Sequence, residues 1–131
     1  MREILFRAKS ADNYPYPSRW EYGGLFQEKD GAYMIKTNYG QVEVKEKTVG
    51  EFTGVTDCNG NKIFEGDIVT CRYGGKKYKG KIIYWDCAFC VSYSAPIKFI
   101  GTLDDVAIDC EIIGNIHDNP KLLGGDDNAA D

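Results

Sequence analysis

The sequence predicts a mostly β fold of short strands joined by tight turns, with little helix. Three observations predict it. Apolar residues alternate with polar ones at period two in many short runs, which is the pattern of half-buried strands. These runs end at Gly, Asn or Asp, residues that accept turn conformations at little steric cost. Aromatic residues reach 13% and glycine 15 of 131 residues, a balance that favours strands and turns over helices. The spacing of the runs is that of an all-β barrel or sandwich.

Taken in order, Glu3 to Lys9 alternates, with Ile4, Phe6 and Ala8 on one face. Ser10 to Ser18 reads as a loop that contains the rigid aromatic segment Tyr14-Pro15-Tyr16-Pro17, either a contact surface or a cover over the core. Arg19 to Gln27 places Trp20, Tyr22, Gly24 and Phe26 on one face, and Gly23-Gly24 signals a bulge or a close backbone approach. Asp30-Gly31 is a hairpin signal before the return strand Tyr33 to Lys36. Val42 and Val44 restart the alternation after Asn38-Tyr39-Gly40.

The run from Val49 to Val69 is dense in turn chemistry, with Asp57-Cys58-Asn59-Gly60-Asn61 and Glu65-Gly66-Asp67 feeding a strand from Ile68 to Tyr73. Gly74-Gly75 turns the chain into a return strand, Lys79 to Trp85. Phe89, Val91 and Tyr93 alternate in the next strand, and Ala95-Pro96 interrupts it before a short strand at Ile97 to Ile100. Thr102 to Val106 is expected to make one helical turn with Thr102 as its N-cap. Asp109 to Ile116 is the last strand.

This pattern predicts one domain over residues 1–123, divisible into an N-terminal β meander (1–48) and a compact unit (49–118) that resembles an SH3-like small barrel. Such barrels protect their sheet edges by closing on themselves. The acidic tail, residues 124–131, has no apolar anchor and is expected to be disordered.

The net charge of −4 owes three units to Asp126, Asp127 and Asp131, so the body is near neutral and charge excludes few partners. No signal-peptide pattern opens the chain, and no apolar run approaches the ~20 residues of a membrane helix. Five cysteines at irregular spacings are expected to be free thiols in a reducing, cytoplasmic setting, with no membrane association.

Four blocks carry a family resemblance: Arg2-Glu3-Ile4-Leu5-Phe6-Arg7-Ala8, Trp20-Glu21-Tyr22-Gly23-Gly24-Leu25, the whole of Val49 to Val69, and Cys110-Glu111-Ile112-Ile113-Gly114-Asn115-Ile116-His117-Asp118-Asn119-Pro120. In this order they resemble the YopX family of phage and prophage proteins, over residue 2 to about 123. The resemblance implies a small, largely β protein carried by phages or integrated phages. No activity is established for that family, so the resemblance brings no catalytic residues, and its blocks are glycines, apolar residues and turn formers.

Candidate chemistry is sparse. Cys87-Ala88-Phe89-Cys90 is a lone C-x-x-C pair. A structural zinc site draws on four ligands, and Cys58, Cys71, Cys110 and His117 supply no second pair. A redox pair favours a helix N-terminus, and none is predicted there. Structural thiols are therefore the expectation, with no metal and no cofactor. Glu65, Asp67, Asp104 and Asp105 read as turn or helix-start residues rather than acid–base groups. The lone His117 reads as a turn residue, because no nucleophile motif accompanies it.

The stretch 72–81 holds Arg72, Lys76, Lys77, Lys79 and Lys81 and no acid, and Tyr73, Tyr78 and nearby Tyr84 supply aromatic faces. Cations tracking phosphates beside rings that stack bases are how small barrels bind single strands. The alternative is a solvated hairpin whose lysines protect a strand edge. The sequence thus predicts a non-enzymatic accessory protein that acts through protein contacts or self-assembly. The second reading is a nucleic-acid-binding module built on the 72–81 hairpin.

Overall fold

In a computed structural model, residues 3–12 and 16–123 are described. Tyr14, Pro15 and the predicted tail at 124–131 lie outside them. Eleven strands form: β1 (Phe6–Lys9), β2 (Trp20–Gln27), β3 (Tyr33–Thr37), β4 (Gly40–Glu43), β5 (Gly50–Thr56), β6 (Lys62–Phe64), β7 (Asp67–Tyr73), β8 (Lys76–Trp85), β9 (Ala88–Ala95), β10 (Phe99–Thr102) and β11 (Cys110–Asn115). Helical structure among the described residues is confined to 3₁₀ turns at Glu46–Thr48, Ala107–Asp109 and Pro120–Leu122. The mostly β expectation holds. No helix of the described residues is long and apolar enough to cross a membrane.

The chain divides into two compact units, Met1–Phe52 and Thr53–Asp131. In the first, an antiparallel sheet runs β4-β3-β2-β1, with the start of β5 beyond β1. Alternation places Ala8, Ile35 and Val44 in its core, with Phe6, Leu25, Tyr33 and Val49 packed around them. The opposite face carries Trp20, whose ring lies 4.6 Å from the Arg7 guanidinium carbon. The first strand begins at Phe6, later than its alternation implied, and Ile4 is exposed. Gly23 shows the close approach predicted for it, since a Cβ there would sit 2.0 Å from the Lys36 carbonyl oxygen. Thr48 ties the end of this unit together: its hydroxyl accepts from the Lys9 N–H and donates to the Lys45 carbonyl.

In the second unit the end of β5 lies beside β6, and a five-stranded antiparallel sheet runs β10-β9-β8-β7-β11. Among the described residues no pairing joins β10 to β11. Ile63, Val69, Ile82, Val91, Tyr93 and Leu103 are the centre of its core. Gly74-Gly75 closes β7 onto β8 with both residues at positive φ, as the hairpin signal required. The β8–β9 hairpin turns on Asp86-Cys87, at φ 53° and 64°. Two positive φ values at a two-residue hairpin suit its right-handed twist, although neither residue is glycine.

Two expectations fail here. Cys71 and Cys110 are joined in a disulfide, so only Cys58, Cys87 and Cys90 are free thiols. The β7–β11 register sets these two cysteines directly opposite each other, with Cα atoms 4.1 Å apart, a juxtaposition that their spacing along the chain does not reveal. The helical turn expected at Thr102–Val106 forms one residue later, where the Ala107 N–H donates to the Leu103 carbonyl at 2.9 Å, and runs on into a 3₁₀ turn at Ala107–Asp109, without the expected Thr102 cap. Leu103 still donates to the Phe89 carbonyl, extending the sheet ladder, and the Thr102 hydroxyl donates to the Asp105 carboxylate rather than capping a helix.

Candidate functional site

The basic hairpin forms as β7 and β8, but its parity divides the predicted site. Arg72 faces Lys77 across the ladder, Thr70 faces Lys79, and Ile68 faces Lys81. Directly opposed residues share a face, so Arg72, Lys77, Lys79 and Lys81 all project to one side of the sheet. Tyr78 opposes Cys71, and Lys76 opposes Tyr73, which places Tyr78 and Lys76 on the other side with the core. Tyr78 is spent there on packing. Its ring meets Tyr93 and Phe99 edge-on, each at 5.8 Å between centroids. The structure therefore assembles the four cations and separates them from Tyr73 and Tyr78, two of the rings expected to stack bases.

Beside the cations lies a groove of about 270 Å³ lined by Cys58, Thr70, Arg72, Lys77, Asp109 and Glu111, among others. The β7–β11 register sets Glu111 opposite Thr70, in reach of this face. The groove is thus of mixed charge, and two carboxylates oppose the approach of a phosphate backbone to Arg72 and Lys77. In the N-terminal unit, a groove of about 710 Å³ is lined in part by Asp12, Arg19, Glu21, Gln41 and Glu43. Its charges are largely engaged already: Arg19 pairs with Glu21 at 2.9 Å and Asp12 with Lys45 at 3.1 Å.

The remaining candidates hold structure together. Cys87 sits exposed in the β8–β9 turn, and Cys90 is buried on β9. Burial, with Asp86 and Asp104 nearby, pushes the Cys90 thiol up, away from the thiolate a redox or metal role requires. Among the described residues no group of three or more His, Cys, Asp or Glu is placed to hold a metal ion. Asp67 is buried and accepts the Phe64 N–H at 2.7 Å, closing the turn that starts β7. Neither groove includes Glu65, Asp67 or His117.

Asp57 does more than turn the chain. Its Oδ1 accepts the N–H groups of Asn59 and Asn61, both at 2.9 Å, and its Oδ2 accepts the Ile112 N–H of β11 at 3.1 Å. Burial pushes this carboxyl up, but the bonds from Ile112, Asn61 and Asn59 outweigh it and leave the pKa below its ordinary value of 3.8. The neighbouring Cys58 N–H also donates to the Cys110 carbonyl. The β5–β6 turn therefore covers the outer edge of β11.

β10 contrasts with that edge. It pairs with β9 on one side, and among the described residues nothing bonds to its other side. Phe99 and Ile100 are 41% and 44% exposed on it, and Ile97, two residues before it, is 59% exposed. From the sequence alone, Ile97 to Ile100 is one more short strand. Alternation around a single Lys98 marks a strand, but nothing local says that it ends a sheet.

Fold and site together define an all-β protein of two antiparallel units in which β10 ends its sheet unpaired among the described residues. The family model described as YopX protein matches residues 5–124, and the chain belongs to the YopX family. No curated protein matches the chain. Among solved structures it is similar to protein EF1440 from Enterococcus faecalis, seen in a crystal structure, with a TM-score of 0.56 and 23% identity over 94% of this chain and 99% of that one. At that identity the likeness concerns the fold alone.

Proposed function

We propose that this chain is a non-enzymatic accessory protein, phage- or prophage-borne as its family resemblance implies, that works by pairing its β10 edge with another polypeptide. The observation that carries this reading is the contrast between edges. The outer side of β11 is occupied by Asp57 and Cys58, and the Glu43 carbonyl of β4 is taken by the Ala11 N–H. β10 has no such cover among the described residues, and it carries Phe99 on one face and Ile100 on the other, both partly exposed. Proteins usually blunt exposed edges, and an uncovered apolar one is the template for strand addition.

An SH3-like class for the C-terminal unit is part of this proposal, supported by its order of hairpin, strand, 3₁₀ turn and closing strand. So is a cytoplasmic setting. The free thiols Cys58, Cys87 and Cys90 support it, and the Cys71–Cys110 bridge weighs against it. The nucleic-acid reading keeps one observation in its favour, the shared face of Arg72, Lys77, Lys79 and Lys81. Asp109 and Glu111 in the same groove weigh against it.

A photo-crosslinking residue placed at position 97, and separately at position 77, discriminates the two readings in cells that express the protein. The expected result is a polypeptide adduct from position 97. Nucleic-acid adducts from position 77, with none from 97, would replace this reading by its alternative.

A further inference from the structure

The occupant of the β10 edge can be named more closely, on the reading that this edge is the contact face. We infer that it is β10 of a second copy, paired antiparallel about a two-fold axis through Ile100. In an antiparallel ladder, opposed pairs alternate between those that exchange both backbone bonds and those that exchange none. Leu103 donates to Phe89, and the register pairs Gly101 with Val91 and Phe99 with Tyr93. Stepping by two, Leu103, Gly101 and Phe99 direct their backbone groups at β9. Ile100 and Thr102 direct theirs outward, and the same step carried one residue beyond β10 places Lys98 with them.

A second β10 centred on Ile100 meets those outward groups in kind. Ile100 faces its own counterpart, joining the two apolar side chains where both are now exposed. Phe99 faces Gly101 of the second copy, where that copy's own Tyr93 and Phe99 rings lie 3.6 and 3.8 Å from the position a Cβ would take. Phe99 is already stacked on Tyr93 at 4.3 Å, so the two copies extend one aromatic row across the axis.

Lys98 faces Thr102 of the second copy. The Thr102 hydroxyl donates to Asp105 Oδ2 at 2.7 Å, which holds a carboxylate beside the incoming ammonium. The two-fold axis repeats this complementary contact. Apolar fit and charge fit thus select the same register, and a one-residue slip would turn each outward backbone group away from its partner.

Sedimentation and light scattering of the purified full chain test this pairing. The wild type is expected to run at twice its 14.7 kDa mass. Ile100→Lys sets two ammonium groups against each other and is expected to give a monomer with an unchanged circular dichroism spectrum. Ile108→Lys, at an exposed position off this edge, is expected to leave the dimer intact.

Lys98→Glu and Asp105→Lys are each expected to weaken the dimer at least about tenfold, and the double variant to restore it, since exchanging both charges re-forms the pair. A wild-type monomer at millimolar concentration, or a dimer indifferent to Ile100→Lys, would overturn the inference. So would a double variant as weak as the singles. A position-97 adduct to a different polypeptide would overturn self-pairing and leave the open-edge reading standing, whereas no polypeptide adduct from 97 would remove both.

Discussion

Replacing Asp57 by Ala is expected to lower the unfolding free energy by about 3 kcal/mol, because the carboxylate accepts three backbone N–H groups and a buried bond to a charged group is worth ~1.5–3 kcal/mol net of water, with exposed ones worth less. The Asn59 and Asn61 amides lie in a turn that water reaches. The Ile112 amide belongs to β11, so its loss is the costlier one. Urea unfolding followed by circular dichroism measures the change, and a difference under about 1 kcal/mol would show that the bridge from turn to β11 contributes little.

The same carboxylate sets a pH dependence. Its folded-state pKa lies below the ordinary value of 3.8, so the folded state favours the ionised form. Its contribution is complete above about pH 4 and is lost as pH falls through the folded pKa, because protonation removes the charge the three amides were holding. Asp57→Asn is therefore expected to be less stable than the wild type at pH 7, with the gap closing as pH falls below 4. A gap that stayed constant would mean that charge plays no part.

Gly23→Ala is the second large effect. The added methyl would meet the Lys36 carbonyl oxygen at 2.0 Å and its carbon at 2.8 Å, and backbone on both sides cannot yield without disturbing the β2–β3 ladder. The expected loss is about 3 kcal/mol, at the upper end of overpacking costs. Gly24→Ala supplies the control, since a Cβ there meets nothing within 4 Å; it is expected to stay within about 1 kcal/mol of the wild type. Equal losses at the two positions would point to strand propensity rather than to contact.

These two sites show what a sequence carries and what it withholds. The pair Gly23-Gly24 announces a close approach, but only the pairing with β3 says which glycine needs it. Asp57 reads as a turn residue from its neighbours, and its bond to Ile112 spans 55 residues that no local pattern connects. The Cys71–Cys110 bridge is hidden for the same reason.

The division of the basic hairpin was within reach of the sequence. With a two-residue turn at Gly74-Gly75, period two alone sets Tyr78 opposite Cys71 and on the far side from Lys77 and Lys79. The open edge was not within reach. Ile97 to Ile100 announces a strand, whereas its place at the end of the β10-β9-β8-β7-β11 order depends on every other pairing in the sheet. Edges are global properties, and here the proposed function rests on one.

Hydrogen exchange at the Ile100 and Thr102 amides tests that claim most directly. Both amides point outward from β10, where nothing among the described residues of a single copy accepts them. Measured over a range of protein concentrations, they are expected to exchange rapidly in dilute solution and to become protected as copies pair, while Gly101 and Leu103, bonded to β9, stay protected throughout. Rapid exchange at Ile100 and Thr102 at every concentration, in a chain that sediments as a dimer, would place the contact elsewhere and contradict the account.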